Sequence, residues 1–237
     1  MKIFTRLFVC LFVACIGQLY AQNSLNFNLG GPANVENIQN QLVFASGGVT
    51  ATATGWSVSR SALANGFAKS EVVQWSPGIG VKNSTEVITD TPYVPYYVDN
   101  QDHYDFVLFI FSQKVDIDSV KIHPSAGTFD LDASYYLGNV DPGLNLTGDV
   151  FSDLASYGFG SRINDDNAVA SNSPRTLNLN TPVGGVNAML FGARVSGDGE
   201  FDRFKVSAMH GTTVIPEPST AGLLIGSLAL AFARRRR

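Results

Sequence analysis

The densest run of oxygen donors in this 237-residue chain is Asp99, Asn100, Gln101, Asp102, His103 and Asp105. Calcium is held by about six to eight oxygens drawn from carboxylates, amides, carbonyls and water. Asp99, Asn100, Asp102 and Asp105 sit at spacings of one to three residues, so a loop could wrap all four around one Ca²⁺, with carbonyls and water completing the shell. The run lacks the spaced D-x-D-x-D-G…E of an EF-hand, and the competing reading is a turn whose Asp and Asn side chains cap nearby amides. Asn164-Asp165-Asp166-Asn167 and Asp198-Gly199-Glu200 with Asp202 are sparser groups of the same kind. Calcium is therefore the one cofactor the sequence suggests, and it requires none.

Catalysis has less to work with. A retaining glycosidase needs two carboxyl groups about 5 Å apart. Between Gln22 and Ile215 the chain has four glutamates, Glu36, Glu71, Glu86 and Glu200, with no Glu-x-Asp-x-Glu among them. His103, His123 and His210 are far apart in sequence and lack a metal-binding or nucleophile-elbow motif beside them. A non-enzymatic protein is the expectation, and a secreted hydrolase acting on extracellular polysaccharide is the alternative. Aromatic side chains that could stack on sugar rings are plentiful: Trp56, Trp75, Tyr104, Tyr135, Tyr136, and above all Tyr93, Tyr96 and Tyr97, which Pro92 and Pro95 break into an exposed-looking cluster. Thr50, Thr52 and Thr54 alternate along one run, a hydroxyl row about 6.8 Å apart of the kind that binds ice. Ice binders repeat such rows over many strands, so a solvent-facing strand explains this single copy.

The elements that must carry these residues read as β throughout. Short runs of Val, Ile, Phe, Tyr and Thr alternate with Gly, Asn, Asp and Pro clusters. Strands are expected at 25–29, 41–45, 49–54, 93–98, 106–112, 119–123, 128–137, 175–179, 187–191 and 201–209. Phe129, Leu131, Ala133 and Tyr135 share one face, and Asp130, Asp132 and Ser134 the other. Phe106 to Phe111 is apolar on both faces, as a central strand covered from two sides would be. Short helical turns are expected at 35–40 and 151–157. About ten strands of irregular spacing point to an all-β, two-sheet antiparallel β-sandwich of jelly-roll type.

The two ends differ in composition from this body. Lys2 and Arg6, then the apolar run Leu7 to Ile16, then Ala21 read as a signal peptide over residues 1–21. Cys15 after Phe12-Val13-Ala14 makes a poor lipidation site. Both cysteines, Cys10 and Cys15, fall in that segment, so a processed body would contain no disulfide or thiolate chemistry. The body, 22–215, suits one domain. Setting aside Lys2, Arg6, the four terminal arginines and Glu217 leaves 10 cationic against 19 acidic side chains, a net charge near −9. Nucleic acid, itself a polyanion, is a poor partner for such a surface.

At the other end, Pro216-Glu217-Pro218 holds the backbone extended and out of any helix. Ala221 to Ala233 is thirteen residues without charge, and Arg234, Arg235, Arg236 and Arg237 close the chain. Arginine is costly to carry through lipid, so the arginines stay cytoplasmic and the body lies on the far side. Thirteen residues reach only about 20 Å as a helix, short of a ~30 Å hydrocarbon core, which argues against a permanent anchor. This tail, 216–237, resembles the PEP-CTERM sorting signal of Gram-negative bacteria. The resemblance implies an exosortase-type membrane enzyme as partner, transient membrane insertion through the hydrophobic sorting helix, and removal of the tail. It further implies delivery to the cell surface or to an exopolysaccharide matrix that the body could bind. A looser resemblance covers 75–137 and 200–215, where Trp75-Ser-Pro-Gly-Ile-Gly-Val81, Val98-Asp99-Asn100 and Asp105–Phe109 are similar to a pattern in PEP-CTERM surface proteins.

Overall fold

The computed structural model describes residues 22–32, 37–86, 96–124, 130–166, 170–195 and 201–214. The chain divides into two units, and all the strands fall in one, Asn23–Thr213. Of the other, 1–22 with 214–237, only residues 22 and 214 are among those described. The body is all-β. Its strands are β1 (Ser24–Asn28), β2 (Asn37–Gln39), β3 (Leu42–Ser46), β4 (Val49–Ser59), β5 (Phe67–Trp75), β6 (Gly78–Lys82) and β7 (Val98–Asp99). After these come β8 (His103–Pro124), β9 (Ala133–Gly138), β10 (Ile163–Asp165), β11 (Arg175–Asn178), β12 (Val186–Ala193) and β13 (Arg203–Thr213). A 3₁₀ turn, Asp153–Tyr157, stands where a short helical turn is expected. The turn expected at 35–40 is instead strand β2 over its described part, paired with Gln74 to Val72 of β5.

The antiparallel pairings run β1-β13-β6-β5-β4-β8-β12-β9-β10, and β13 also pairs β8. The circuit β13-β6-β5-β4-β8-β13 therefore closes on itself, and all the described strands join one hydrogen-bonded system rather than two separate sheets. The long β8 is the reason. Its first half pairs β4 from Ser59↔His103 to Ala51↔Phe111, and its second half pairs β13 from Thr213↔Val115 to Phe204↔Pro124. The sequence suggests one strand ending at Ser112 and another starting at Ser119. No glycine or proline interrupts the chain there, and Val115 has partners on both sides, Val186 and Thr213, so the strand runs on.

Phe106 to Phe111 is a central strand, as its composition suggests, with a core on either face. Val107, Phe109 and Phe111 enter the larger core with Phe27, Ile79, Ile122, Leu131, Phe191 and Phe204. Phe106 and Leu108 enter a second core with Trp56, Phe67, Tyr136, Leu146, Leu154 and Phe159. Among the described residues no sheet lies above the second core. It is covered by residues 139–160, which are tied to the sheet beneath at two places. Asn187 of β12 accepts the Val140 N–H at 2.7 Å and donates to the Val140 carbonyl at 2.8 Å. At the far side Phe67 of β5 receives the Gly148 N–H at 2.8 Å and donates to the Asp149 carbonyl at 2.7 Å. The Phe151 ring then lies against Phe67, Phe106 and Tyr136.

Strands β5 and β6 are not legible in the sequence. β5 carries Lys69 and Glu71 and has no clean alternation, and β6 reads as a glycine-rich turn. Its glycines serve close packing instead: a Cβ at Gly80 would stand 2.2 Å from the Tyr96 carbonyl oxygen, and one at Gly78 2.3 Å from that of Val206.

Candidate functional site

Three places gather polar side chains. The first is a buried acidic cluster. Asp130 and Asp132 lie in the segment leading into β9, which the sequence places in a strand from 128 but which becomes one only at Ala133, and Asp202 faces them from the chain leading into β13, joined to Asp130 by a β-bridge. One carboxylate oxygen from each lies within 4.8 Å of the others, a geometry that could hold a metal ion, and all three are buried. Asp202 is tied down on both oxygens: Oδ1 accepts the Asp132 N–H at 2.8 Å and Oδ2 accepts Asn100 Nδ2 at 2.6 Å. Asn100 Oδ1 in turn accepts the Asp202 N–H at 3.0 Å. The protein supplies its own positive charge here. Arg194 Nη1 reaches Asp132 at 2.8 Å and Asp166 at 3.1 Å. Arg175 pairs with Asp165 and donates to the Leu131 carbonyl at 2.7 Å. Burial lowers the Arg175 pKa, and the charges of Asp132, Asp130 and Asp202 oppose that shift.

The second place is a carboxylate corner where β6, β7 and β8 begin or end. Asp105 is fully buried; one oxygen takes a long 3.4 Å hydrogen bond from Asn83, and its Oδ2 has no hydrogen-bond partner. Burial, with the nearby charges of Asp99 and Glu86, pushes its carboxyl well above the usual range. Burial likewise raises Glu86 to about 7, the Asp99 charge adding to it and the Asn83 N–H, accepted at 2.8 Å, opposing it. Asp99 is raised by burial as well, although its Oδ1 caps the Gln101 N–H at 3.1 Å. A hollow of about 400 Å³ opens beside this corner, lined by Glu86, Asn83, Lys82 and Glu71, with Lys82 and Glu71 paired at 2.7 Å.

The third place is a groove of about 910 Å³ on the outer face of β4, β8 and β12, beside the covering segment. Alternation along β4 puts Thr50, Thr52 and Thr54 on the face that also carries Trp56, while Ala51 and Ala53 point into the larger core. Ile110 and Ser112 of β8 continue that face, and the turn at Pro142–Thr147 walls it. Lys69 and Lys114 are the charged lining residues, and no carboxylate stands among the described residues that line it.

The residues singled out from sequence are distributed among these places. Asp99 and Asp105 share the carboxylate corner, Asn100 turns away to Asp202, and Asp102 is exposed. Asp99 makes the local cap that the competing turn reading describes. Tyr96 and Tyr97 do not form an exposed cluster: they are 2% and 7% exposed. Lys82 stands 5.8 Å from the Tyr96 ring and Arg203 4.5 Å from the Tyr97 ring, so cations of the chain lie where a sugar would stack. Tyr93 lies outside the described residues. Trp56 is buried and donates to Thr54 Oγ1 at 3.0 Å, and Lys205 lies 4.5 Å from the Trp75 ring. His103 and His123 stand at opposite ends of β8, and His210 pairs with Ser119 between them. Sequence reasoning missed Asp130 and Asp132 as a site. Their alternation with Leu131 and Ala133 was visible, but nothing local signals that the polar face is covered.

Residues 214–237 match the family model described as PEP-CTERM protein-sorting motif. No curated protein and no solved structure matches the chain. The motif implies export, membrane-associated sorting and processing by an exosortase. Pro216, Glu217, Pro218 and Arg234 to Arg237 all lie in the matched segment and outside the described residues, as does the apolar run 221–233. Among the described residues no helix is long and apolar enough to cross a membrane.

Proposed function

We propose that the chain is a non-enzymatic cell-surface or exopolysaccharide-matrix protein of a Gram-negative bacterium, whose body engages carbohydrate once the tail has been removed. The observation that carries this reading is the sorting motif at 214–237, which implies export by a route that ends in exosortase processing. The groove supports the carbohydrate part: hydroxyls and amides interleaved with Trp56, Ile110 and Leu144 are the chemistry that a sugar ring, with its equatorial hydroxyls and C–H faces, can use. The larger core, shared by residues of β1, β4, β6, β8, β12 and β13, supports a sandwich-like, jelly-roll arrangement of the body. The signal peptide, residues 1–21, and the sorting helix complete the proposed route.

A hydrolase is the second reading. What favours it is Glu86, a carboxyl raised to about 7 beside the hollow that Glu71 also lines, since a general acid must hold its proton near neutrality. One preparation separates the two. Protein recovered from the cell surface should have an intact mass lacking 221–237 and should be retained by the extracellular polysaccharide of its own cells. Full-length mass at the surface would defeat the sorting reading. Release of reducing ends from that polysaccharide, lost in Glu86→Gln, would replace a binding role with a hydrolytic one.

A further inference from the structure

We infer that the groove over β4 and β8 is the polysaccharide-binding site of this body, and that it selects acidic chains, in which some sugar units carry carboxylates. The inference rests on the proposed carbohydrate-binding role and adds to it a location and a ligand class.

Three observations converge. The first is that the threonine row is a site wall. Thr50, Thr52 and Thr54 project from alternate positions of β4 toward the same space, with spacing set by the strand repeat. The Thr50 N–H is taken by Ser112 Oγ at 3.0 Å, which joins the two strands at the groove floor. The second is shape. The covering segment starts beside the groove, where Asn187 pins Val140, and its Pro142–Thr147 turn lines one side of it. The turn is stiffened from within: Asp141 caps the Gly143 N–H at 2.7 Å, and Asn145 accepts both the N–H and the hydroxyl of Thr147, at 3.2 and 2.8 Å. A volume near 910 Å³ is at the upper end of what ligand sites occupy.

The third observation is charge, and it decides the ligand class. The body carries a net charge near −9, yet the groove's charged lining is two lysines, on opposite sides, Lys69 from β5 and Lys114 from β8. Both are exposed, and neither has an ion-pair partner among the described residues. An acidic surface elsewhere turns a polyanion away and leaves this face as its point of approach. A neutral glucan would find the hydroxyls but would leave both ammonium groups without counter-charge. An extended polypeptide is the remaining occupant, and it would use backbone groups of a sheet edge rather than side chains of a sheet face.

The test is affinity electrophoresis of the full-length protein through gels containing polygalacturonate or dextran, at low salt. The unaltered protein should be retarded by polygalacturonate and not by dextran. The Lys69→Ala, Lys114→Ala double variant should bind about tenfold more weakly or worse, and the Thr50→Val, Thr52→Val double variant about threefold more weakly, with thermal melts unchanged. In the unaltered protein, bound polygalacturonate should also protect Lys69 and Lys114 from acetylation, a readout that needs no variant. Equal retardation of all three proteins, or no protection, would overturn the groove while leaving the carbohydrate-binding role in place. Retardation by dextran alone would overturn the acidic class. Retardation by neither would overturn the inference, and retention on the cells' own polysaccharide would then decide the broader role.

Discussion

Asp105 is the side chain whose environment departs most from its sequence context. In the chain it reads as one more oxygen donor in an acidic loop; in the fold it is the first inward residue of a central strand, and one of its oxygens has nothing to bond. With Glu86 and Asp99 beside it, the corner holds three carboxyls whose pKa values are all raised, burial being the first cause in each. An unfolded chain releases such protons near 4.5, whereas the folded chain keeps that of Glu86 until about 7. Between those values the native state binds more protons than the unfolded state, so the corner's contribution to stability is fully present below about 4.5 and is lost as the pH rises through 7. Urea midpoints should therefore decline from pH 5 to pH 7.5. Asp105→Asn and Glu86→Gln should each flatten the decline, and an unchanged slope in both would mean that the corner is better solvated than it looks. The acidic cluster of Asp130, Asp132 and Asp202 is handled differently, with Arg194, the Asp132 N–H and the Asn100 side-chain amide meeting its charge.

The elements show which local signals survive folding. Alternation in β4 and the apolar run in β8 predicted their faces correctly, because a strand side chain can only point to one side or the other. Phe109 on β8 is 0% exposed, while Thr52, paired through Ile110 to the same strand, faces the groove. Phe109→Ala should cost about 3–5 kcal/mol through lost transfer energy and the cavity left behind. Thr52→Ala should stay within about 0.5 kcal/mol, as surface changes usually do. Urea titration of the two variants checks both, and comparable losses would move the core elsewhere. Strands β5 and β6 escaped notice for a reason at the same scale. A strand that packs backbone against backbone needs glycine, as Gly78 and Gly80 show, and glycine in sequence reads as a turn.

For the whole body, one strand carries the architecture. β8 lies between the two cores and belongs to the closed circuit of pairings, so neither core can come apart without breaking its ladder. Unfolding should therefore be one transition: Trp fluorescence, which samples Trp56 in the smaller core, and far-ultraviolet dichroism should give coincident midpoints in the unaltered protein and in Phe106→Ala. Separate midpoints would mean that the covering segment and its core unfold alone. The address of this protein was readable from residues in order, since a Pro-Glu-Pro motif, an apolar run and an arginine cluster act as contiguous stretches, and the family match lies on those residues. The β character was readable too, because side-chain alternation and turn residues are local. The tertiary structure alone decided what covers each face. It buried Asp130 and Asp132 under Asp202 and Arg194, sank Tyr96 and Tyr97 beneath cations, ran two expected strands into one and left the threonine row open beside two lysines. Alternation distinguishes the two sides of a strand, but what lies on either side is brought there by residues tens of positions away, whose arrival no local pattern records.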